Sequence, residues 1–204
     1  MRLVMLAACL LAGTSGWAMA QQAPSPVAKW QGLYLGGDGG AMIGRGEVTG
    51  VTFPTDANTF GENGVVGAFG GYNWQNGPWV LGAEADWSRV PRASGEDVFT
   101  LRGRAGYATG DSLLYATVGA GTQSRTLTFI PTGEAVTRRY TGVVVGGGYE
   151  LMLPNRFSFR AEGLYFAPGK QQYDFSGFGT VPNFSDNFVF HETILHVGLG
   201  YHFQ

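Results

Sequence analysis

The chain is 204 residues long, 44% hydrophobic and only 14% charged, with a formal net charge of −2. That charged fraction lies well under the roughly 25% of an ordinary soluble protein, and with no basic run the near-neutral balance argues against a nucleic-acid partner. The 34 glycines speak against an all-helical fold, since glycine is unfavourable inside helices, and no stretch approaches the roughly 20 apolar residues of a membrane helix.

The N-terminus reads MRLVMLAACLLAGTSGWAMAQQ. Arg2 supplies a short positive region, Leu3 to Ala12 an apolar segment too short to span a bilayer, and AMA at 18–20 the small residues of a cleavage site. This pattern is that of a secretory signal peptide cut after Ala20. The alternative is LAAC at 6–9, a lipoprotein cleavage box that leaves few apolar residues ahead of the cut. Cys9 is the one cysteine, so a chain cut after Ala20 has no disulfide, thiolate metal site or cysteine nucleophile. Residues 21–29, QQAPSPVAK, read as a polar periplasmic linker, and 30–204 as one domain.

From Trp30 onward the hydrophobic pattern has period two, the mark of strands. The first predicted strand is 30–44, with Leu33, Leu35, Ala41 and Ile43 on one face and Tyr34 and Asp38 on the other. A long polar loop leads to the second, 64–75, and the tight turn QNGPW to the third, WVLGAEADWS at 79–88. After a loop at 89–96 comes the fourth, 97–109, then a GDS turn and the fifth, 113–122. A long loop at 123–138 precedes the sixth, 139–152, and LPN turns into the seventh, 156–166. A loop at 167–187 precedes the last, which ends near the C-terminus.

Eight strands of about ten residues, joined alternately by long loops and tight turns, predict an all-β fold: an eight-stranded antiparallel up-and-down transmembrane β-barrel. A soluble, lipocalin-like barrel with the apolar parity inside is the alternative.

The third strand raises the question of chemistry. Trp79, Leu81, Ala83, Ala85 and Trp87 share one parity, and Glu84, Asp86 and Ser88 the other. In a transmembrane barrel the first set faces lipid and the second the lumen. The adjoining fourth strand places Arg102 and Arg104 on its polar parity, and Glu150, Arg160 and Glu162 repeat the arrangement on the sixth and seventh. Eight strands enclose an interior that side chains just fill, and buried charges must be paired. A structural ion-pair network of Glu84, Asp86, Arg102, Arg104, Glu150, Arg160 and Glu162 is therefore expected, with Asp38 an open member and Gly82, Gly106, Gly146 and Gly148 leaving room for it. A catalytic carboxylate pair would need a substrate cleft and one raised pKa, which arginines across the strand oppose. Trp74, Trp79, Trp87 and Tyr201, near strand ends, fit interfacial aromatic girdles.

Other signals are weaker. His196 and His202 share a parity but lie six residues apart, about 20 Å along a strand at roughly 3.3 Å per residue, so they do not bind one metal together; His191 has the other parity. No metal or cofactor is expected. GAGTQS, GGDGG and VVVGGGYE precede no helical pattern, so none is a phosphate cradle. NFS at 183–185 matches a glycosylation acceptor that matters little in a bacterial host. In the 167–187 loop, Tyr173, Phe175, Phe178 and Phe184 stand among Asp and Gly, open equally to contact with a partner and to packing over the barrel mouth.

The segments WQGLYLGGDGG, GAFGGYNWQNGPWVLGAEADW, LRGRAGYAT, LLYATVGAG and GGGYELMLPNRFSFRAEGLYF resemble, in order along the chain, the Omp25/Omp31 family of alphaproteobacterial outer-membrane proteins. The resemblance implies an eight-stranded barrel of the same architecture as the OmpA membrane domain, embedded in the outer-membrane bilayer. It implies insertion by the outer-membrane assembly machinery, which reads an aromatic C-terminal strand; Tyr201 and Phe203 supply that signal. Family members end on Phe, and this chain carries Gln204 beyond it. The porin label common in the family sits poorly with eight strands, since open channels use about 16 to 18.

The expectation from sequence is a non-enzymatic envelope barrel whose surface loops are available for contact, with lipopolysaccharide or a host surface as candidate partners. The alternative is a barrel that binds haem or a small solute, or conducts weakly. A lipid-modifying enzyme would need a Ser/His/Asp-type set at one rim, and none can be assembled.

Overall fold

A computed structural model describes residues 29–49, 59–91, 97–129, 134–169, 171–175 and 184–203. Cys9 and the cleavage site after Ala20 lie outside them. The strands are β1 (Gly32–Thr49), β2 (Thr59–Asn76), β3 (Trp79–Arg89), β4 (Asp97–Thr109), β5 (Ser112–Phe129), β6 (Glu134–Met152), β7 (Phe157–Pro168), β8 (Gln171–Phe175) and β9 (Phe184–Phe203). Each of β1 to β6 pairs antiparallel with its successor, β7 pairs with β9, and β9 returns to β1 from Leu33↔Phe203 to Thr49↔Asn187. That last ladder closes the sheet into a barrel and leaves no free edge through the bilayer, which lipid demands.

Nine strands make eight staves because β7 and β8 are one stave, interrupted. Phe166 pairs with Glu192 on β9, and the ladder resumes at Gln171 with Phe188. The five-residue advance on one side against four on the other is a one-residue bulge. Pro168 stands at the break; it has no N–H to give a ladder.

Sequence pattern and structure differ most at the long connections. β1 and β2 remain paired out to Gly46↔Thr59, and β5 and β6 to Phe129↔Glu134. Much of the expected loops at 45–63 and 123–138 is therefore strand. The 167–187 segment contains β8 and the start of β9, paired from Gln171↔Phe188 to Phe175↔Phe184, and is not one loop. In these extensions residues such as Arg45, Glu47, Ser124, Arg125 and Arg138 break the apolar alternation of the wall, so the sequence pattern alone does not mark them as strand.

The tight turns are as short as the sequence suggests. Gly77 and Gly110 occupy the first position of two-residue turns with φ of 58° and 61°, the left-handed region that glycine enters freely. At the third turn Asn155 and Arg156 take φ of 63° and 68°.

The period-two pattern sets which side of each strand faces out. Leu81, Leu101, Leu114, Val118, Leu195 and Leu199 stand exposed on the outer wall, an apolar exterior that a water-soluble monomer avoids. Trp79, Tyr107 and Phe157 mark one level of it, and Trp87, Phe99 and Tyr165 another, eight residues further along β3, β4 and β7. Eight residues at about 3.3 Å, tilted by roughly 40°, separate the levels by about 20 Å, close to the height of an outer-membrane apolar band. Rings meet edge-on in the lower belt, Trp79 with Tyr107 at 5.2 Å and Phe157 with Tyr201 at 5.2 Å.

Candidate functional site: a charged lumen

The inward parity fills the barrel in layers. Nearest the tight turns, Trp30, Val80, Ala108, Leu113 and Tyr115 form an apolar cluster. Trp30 is not the first residue of β1, as the pattern suggests, but a fully buried turn residue standing edge-on to His202 at 5.5 Å. At the long-connection end Met42, Val65, Val90, Val98, Val144, Leu164, Phe166 and Ile194 form a second apolar cluster. Between the two lie the charges.

Glu84 is the hub of that layer. Arg102 lies directly across the β3–β4 ladder and bonds to Glu84 Oε1. Arg160 of β7 reaches it from across the lumen with Nη1 at 2.8 Å and Nη2 at 3.2 Å. Arg104 Nη1 lies at 3.3 Å, and the Tyr34 hydroxyl donates to Oε2 at 2.8 Å. Glu162 pairs with Arg102 at 3.0 Å, bonds to Arg160, and accepts from the Tyr115 hydroxyl at 3.0 Å. Glu150 takes Arg104 Nη2 at 2.9 Å and the Ser158 hydroxyl at 2.7 Å, with His202 Nε2 at 3.3 Å. The guanidiniums also lie over rings, Arg104 on Tyr115 at 4.0 Å and Arg160 on Phe69 at 3.9 Å, an arrangement suited to a planar, weakly hydrated cation.

The structure thus brings Glu84, Arg102, Arg104, Glu150, Arg160 and Glu162 into one connected set. Asp86 stands beside it without an arginine bond: its Oδ1 accepts from Ser88 Oγ at 3.2 Å. Asp38, open in the sequence reading, points inward with its side chain buried, next to His196 at 3.7 Å. Of the four glycines expected to make room for charges, Gly82 abuts Arg104, whereas Gly106, Gly146 and Gly148 make room for Leu113, Leu164 and Tyr115. Parity alone does not say which large side chain crosses the lumen to fill a gap.

Several participants escaped the sequence reading. Tyr115 and Phe69 sit on the inward parity among apolar residues, where hydroxyl donation and cation stacking leave no pattern. Glu192 has the inward parity of β9 and accepts from Gln123 Nε2 at 3.0 Å; Gln123 falls in the expected loop at 123–138. Phe178 and the side chains of Tyr173, Phe175 and Phe184 lie outside the described residues. In the backbone, Tyr173 pairs with Asp186 and Phe175 with Phe184. At the C-terminal strand, Tyr201 and Phe203 rings meet at 5.0 Å on the outer wall.

A closed barrel, greasy outside and packed with paired charges inside, defines an outer-membrane β-barrel protein. The chain belongs to the outer membrane protein beta-barrel domain family, whose pattern matches residues 6–203. It is 32% identical over 183 residues to the 22 kDa outer membrane protein of Rhizobium leguminosarum bv. viciae, spanning 83% of this chain and 80% of that one, as expected of the Omp25-like alphaproteobacterial group. Among solved structures it resembles OprG of Pseudomonas aeruginosa (TM-score 0.55, 13% identity, 85% of this chain and 97% of that) and Neisserial surface protein A (TM-score 0.50, 13% identity, 85% and 98%). At such identities these likenesses concern the fold alone. The protein resides in the outer membrane, with its apolar wall against the bilayer.

Proposed function

We propose that this protein is a non-catalytic structural barrel that spans and stiffens the outer membrane and presents its strand extensions for surface contact. One observation carries the reading: the ionic layer around Glu84 sits between two apolar clusters, one at each end of the lumen. Paired charges capped above and below by buried apolar side chains favour a plug over a channel, consistent with the narrow bore of eight strands. The β5–β6 extension supports a contact role. It carries polar pairs such as Thr126 with Thr137 at 2.8 Å, and Arg138 reaches β8 at the Gln172 carbonyl, at 3.3 Å, and at Asp174. Lipopolysaccharide or a host surface would meet these residues first. In the same reading Tyr201 and Phe203 present the strand that the outer-membrane assembly machinery takes up.

Planar-bilayer recording tests the plug. Purified, folded protein is expected to give no discrete conductance steps; reproducible unitary steps that vanish with heat-unfolded protein would overturn it.

A further inference from the structure

One group of lumenal side chains has no place in the arginine network. Asp38 of β1, Asp86 of β3 and His196 of β9 converge so that one donor atom from each lies within 4.8 Å of the others. All three side chains are buried, Asp86 and His196 with 2% of their surface exposed and Asp38 with none at its side chain. Both oxygens of Asp38, Oδ2 of Asp86 and Nδ1 of His196 have no hydrogen-bond partner among the described residues. Buried donors and acceptors are ordinarily satisfied, so three converging side chains that carry four unsatisfied atoms call for a partner.

The surroundings are shaped for one. Asp38 pairs in the ladders with Gly67 and Gly198. A Cβ at Gly67 would press on Asp38 Oδ1 and on Ser88 Oγ, and one at Gly198 would lie 2.9 Å from Asp38 Cβ. Ser88 supplies an outer support, 3.2 Å from Asp86 Oδ1 and 3.5 Å from His196 Nε2. Such outer contacts orient metal ligands and fix the imidazole tautomer.

Charge points the same way. In the central layer five carboxylates (Asp38, Glu84, Asp86, Glu150 and Glu162) face three guanidiniums (Arg102, Arg104 and Arg160). With neutral imidazoles two negative charges are left over, and the carboxylates not bonded to arginine are Asp38 and Asp86. A divalent cation between those two balances the layer.

We propose that Asp38, Asp86 and His196 form a binding site for a divalent first-row transition-metal ion, with zinc the best fit, inside the barrel lumen. Two carboxylates and one imidazole nitrogen make a hard-to-borderline donor set, and the second oxygen of Asp38, itself without a partner among the described residues, or a water would complete the four-coordinate shell of a structural zinc. Zinc ligands at about 2.0–2.2 Å lie roughly 3.3–3.6 Å apart, so side-chain rotation draws the donors inward on binding. The role is structural, a clasp joining β1, β3 and β9, and the ion enters as the barrel closes, because apolar side chains cover the layer on both sides.

The test uses the chain without a polyhistidine tag, folded in detergent micelles in the presence of zinc chloride, passed over a chelating resin and analysed for metal. Heat-modifiable gel mobility confirms folding of each variant. The expected result is one zinc per folded chain, loss of that zinc in Asp38→Asn and His196→Gln, and an affinity lower by about 10- to 100-fold in Ser88→Ala. Cobalt(II) in place of zinc is expected to give a visible absorption band that zinc abolishes and magnesium does not; this reads the site in the parent chain even if a variant fails to fold. Folded parent chain that retains no zinc and gives no cobalt band overturns the proposal, as does equal retention by folded His196→Gln.

Discussion

Arg160 tests the ionic layer most directly. It holds Glu84 with two nitrogens, bonds to Glu162, and lies over the Phe69 ring at 3.9 Å, all in full burial. Arg160→Met keeps much of the volume and the apolar stem but removes the charge. Glu84 retains Arg102 and Arg104, whereas Glu162 keeps only Arg102 and Tyr115, in a layer already richer in carboxylates than in guanidiniums. Breaking a buried pair from one side costs about 3–5 kcal/mol, because the stranded partner stays desolvated. Arg160→Lys keeps the charge but loses the planar fork and the ring contact, so its loss falls between parent and Met. Removing the stranded acid as well, in Arg160→Met with Glu162→Gln, should restore part of the stability, with a coupling of about 0.5–3 kcal/mol. Urea titration of the barrel folded into phosphatidylcholine vesicles, followed by tryptophan fluorescence and gel mobility, measures each. If Arg160→Met lies within about 1 kcal/mol of the parent, or the double variant is simply additive, the layer is not a mutually dependent network.

Two further expectations concern the wall and the floor. Ala161→Arg places a charge on the lipid face of β7, midway between the belt residues Phe157 and Tyr165; it should cost about 2–4 kcal/mol in the same titration, and a neutral result would mean that this parity does not face acyl chains. Trp30→Ala empties the floor of the lumen, where Trp30 is wholly buried against His202; a loss of about 3–5 kcal/mol is expected, and a loss under 1 kcal/mol would show that the tryptophan is not a packed plug.

The parts of the fold visible in sequence are those where lipid and lumen impose opposite chemistry on successive residues. β4 is bounded in sequence as in the structure, at 97 and 109, because Phe99, Leu101, Ala105 and Tyr107 alternate with Thr100, Arg102 and Arg104 throughout. Where polar residues fall on both parities the signal stops. Gln123 to Phe129 belong to β5, yet Gln123, Ser124 and Arg125 interrupt the apolar alternation before Leu127 and Phe129, and the ladder to β6 is what makes the whole run strand. The β7–β8 bulge hides behind Pro168 for the same kind of reason, as a register property of a ladder rather than of one segment. Within the lumen, parity points residues inward and adjacency suggests Glu84 beside Arg102. Arg160 on Glu84 and Arg104 on Glu150 span strands that share no ladder, and no spacing along a single strand announces them. Asp86 likewise meets Asp38 and His196 from β3, which shares a ladder with neither β1 nor β9.

The hub has a kinetic corollary. Glu84 belongs to the third stave, two of its guanidiniums to the fourth, and its third to a stave added only when the C-terminal third of the chain arrives. A half-built sheet therefore holds Glu84 on Arg102 and Arg104 while both arginines still lack their second carboxylate. Glu150, Arg160 and Glu162 come with β6 and β7 and complete the layer together, so the interior is satisfied only by the full circuit of strands.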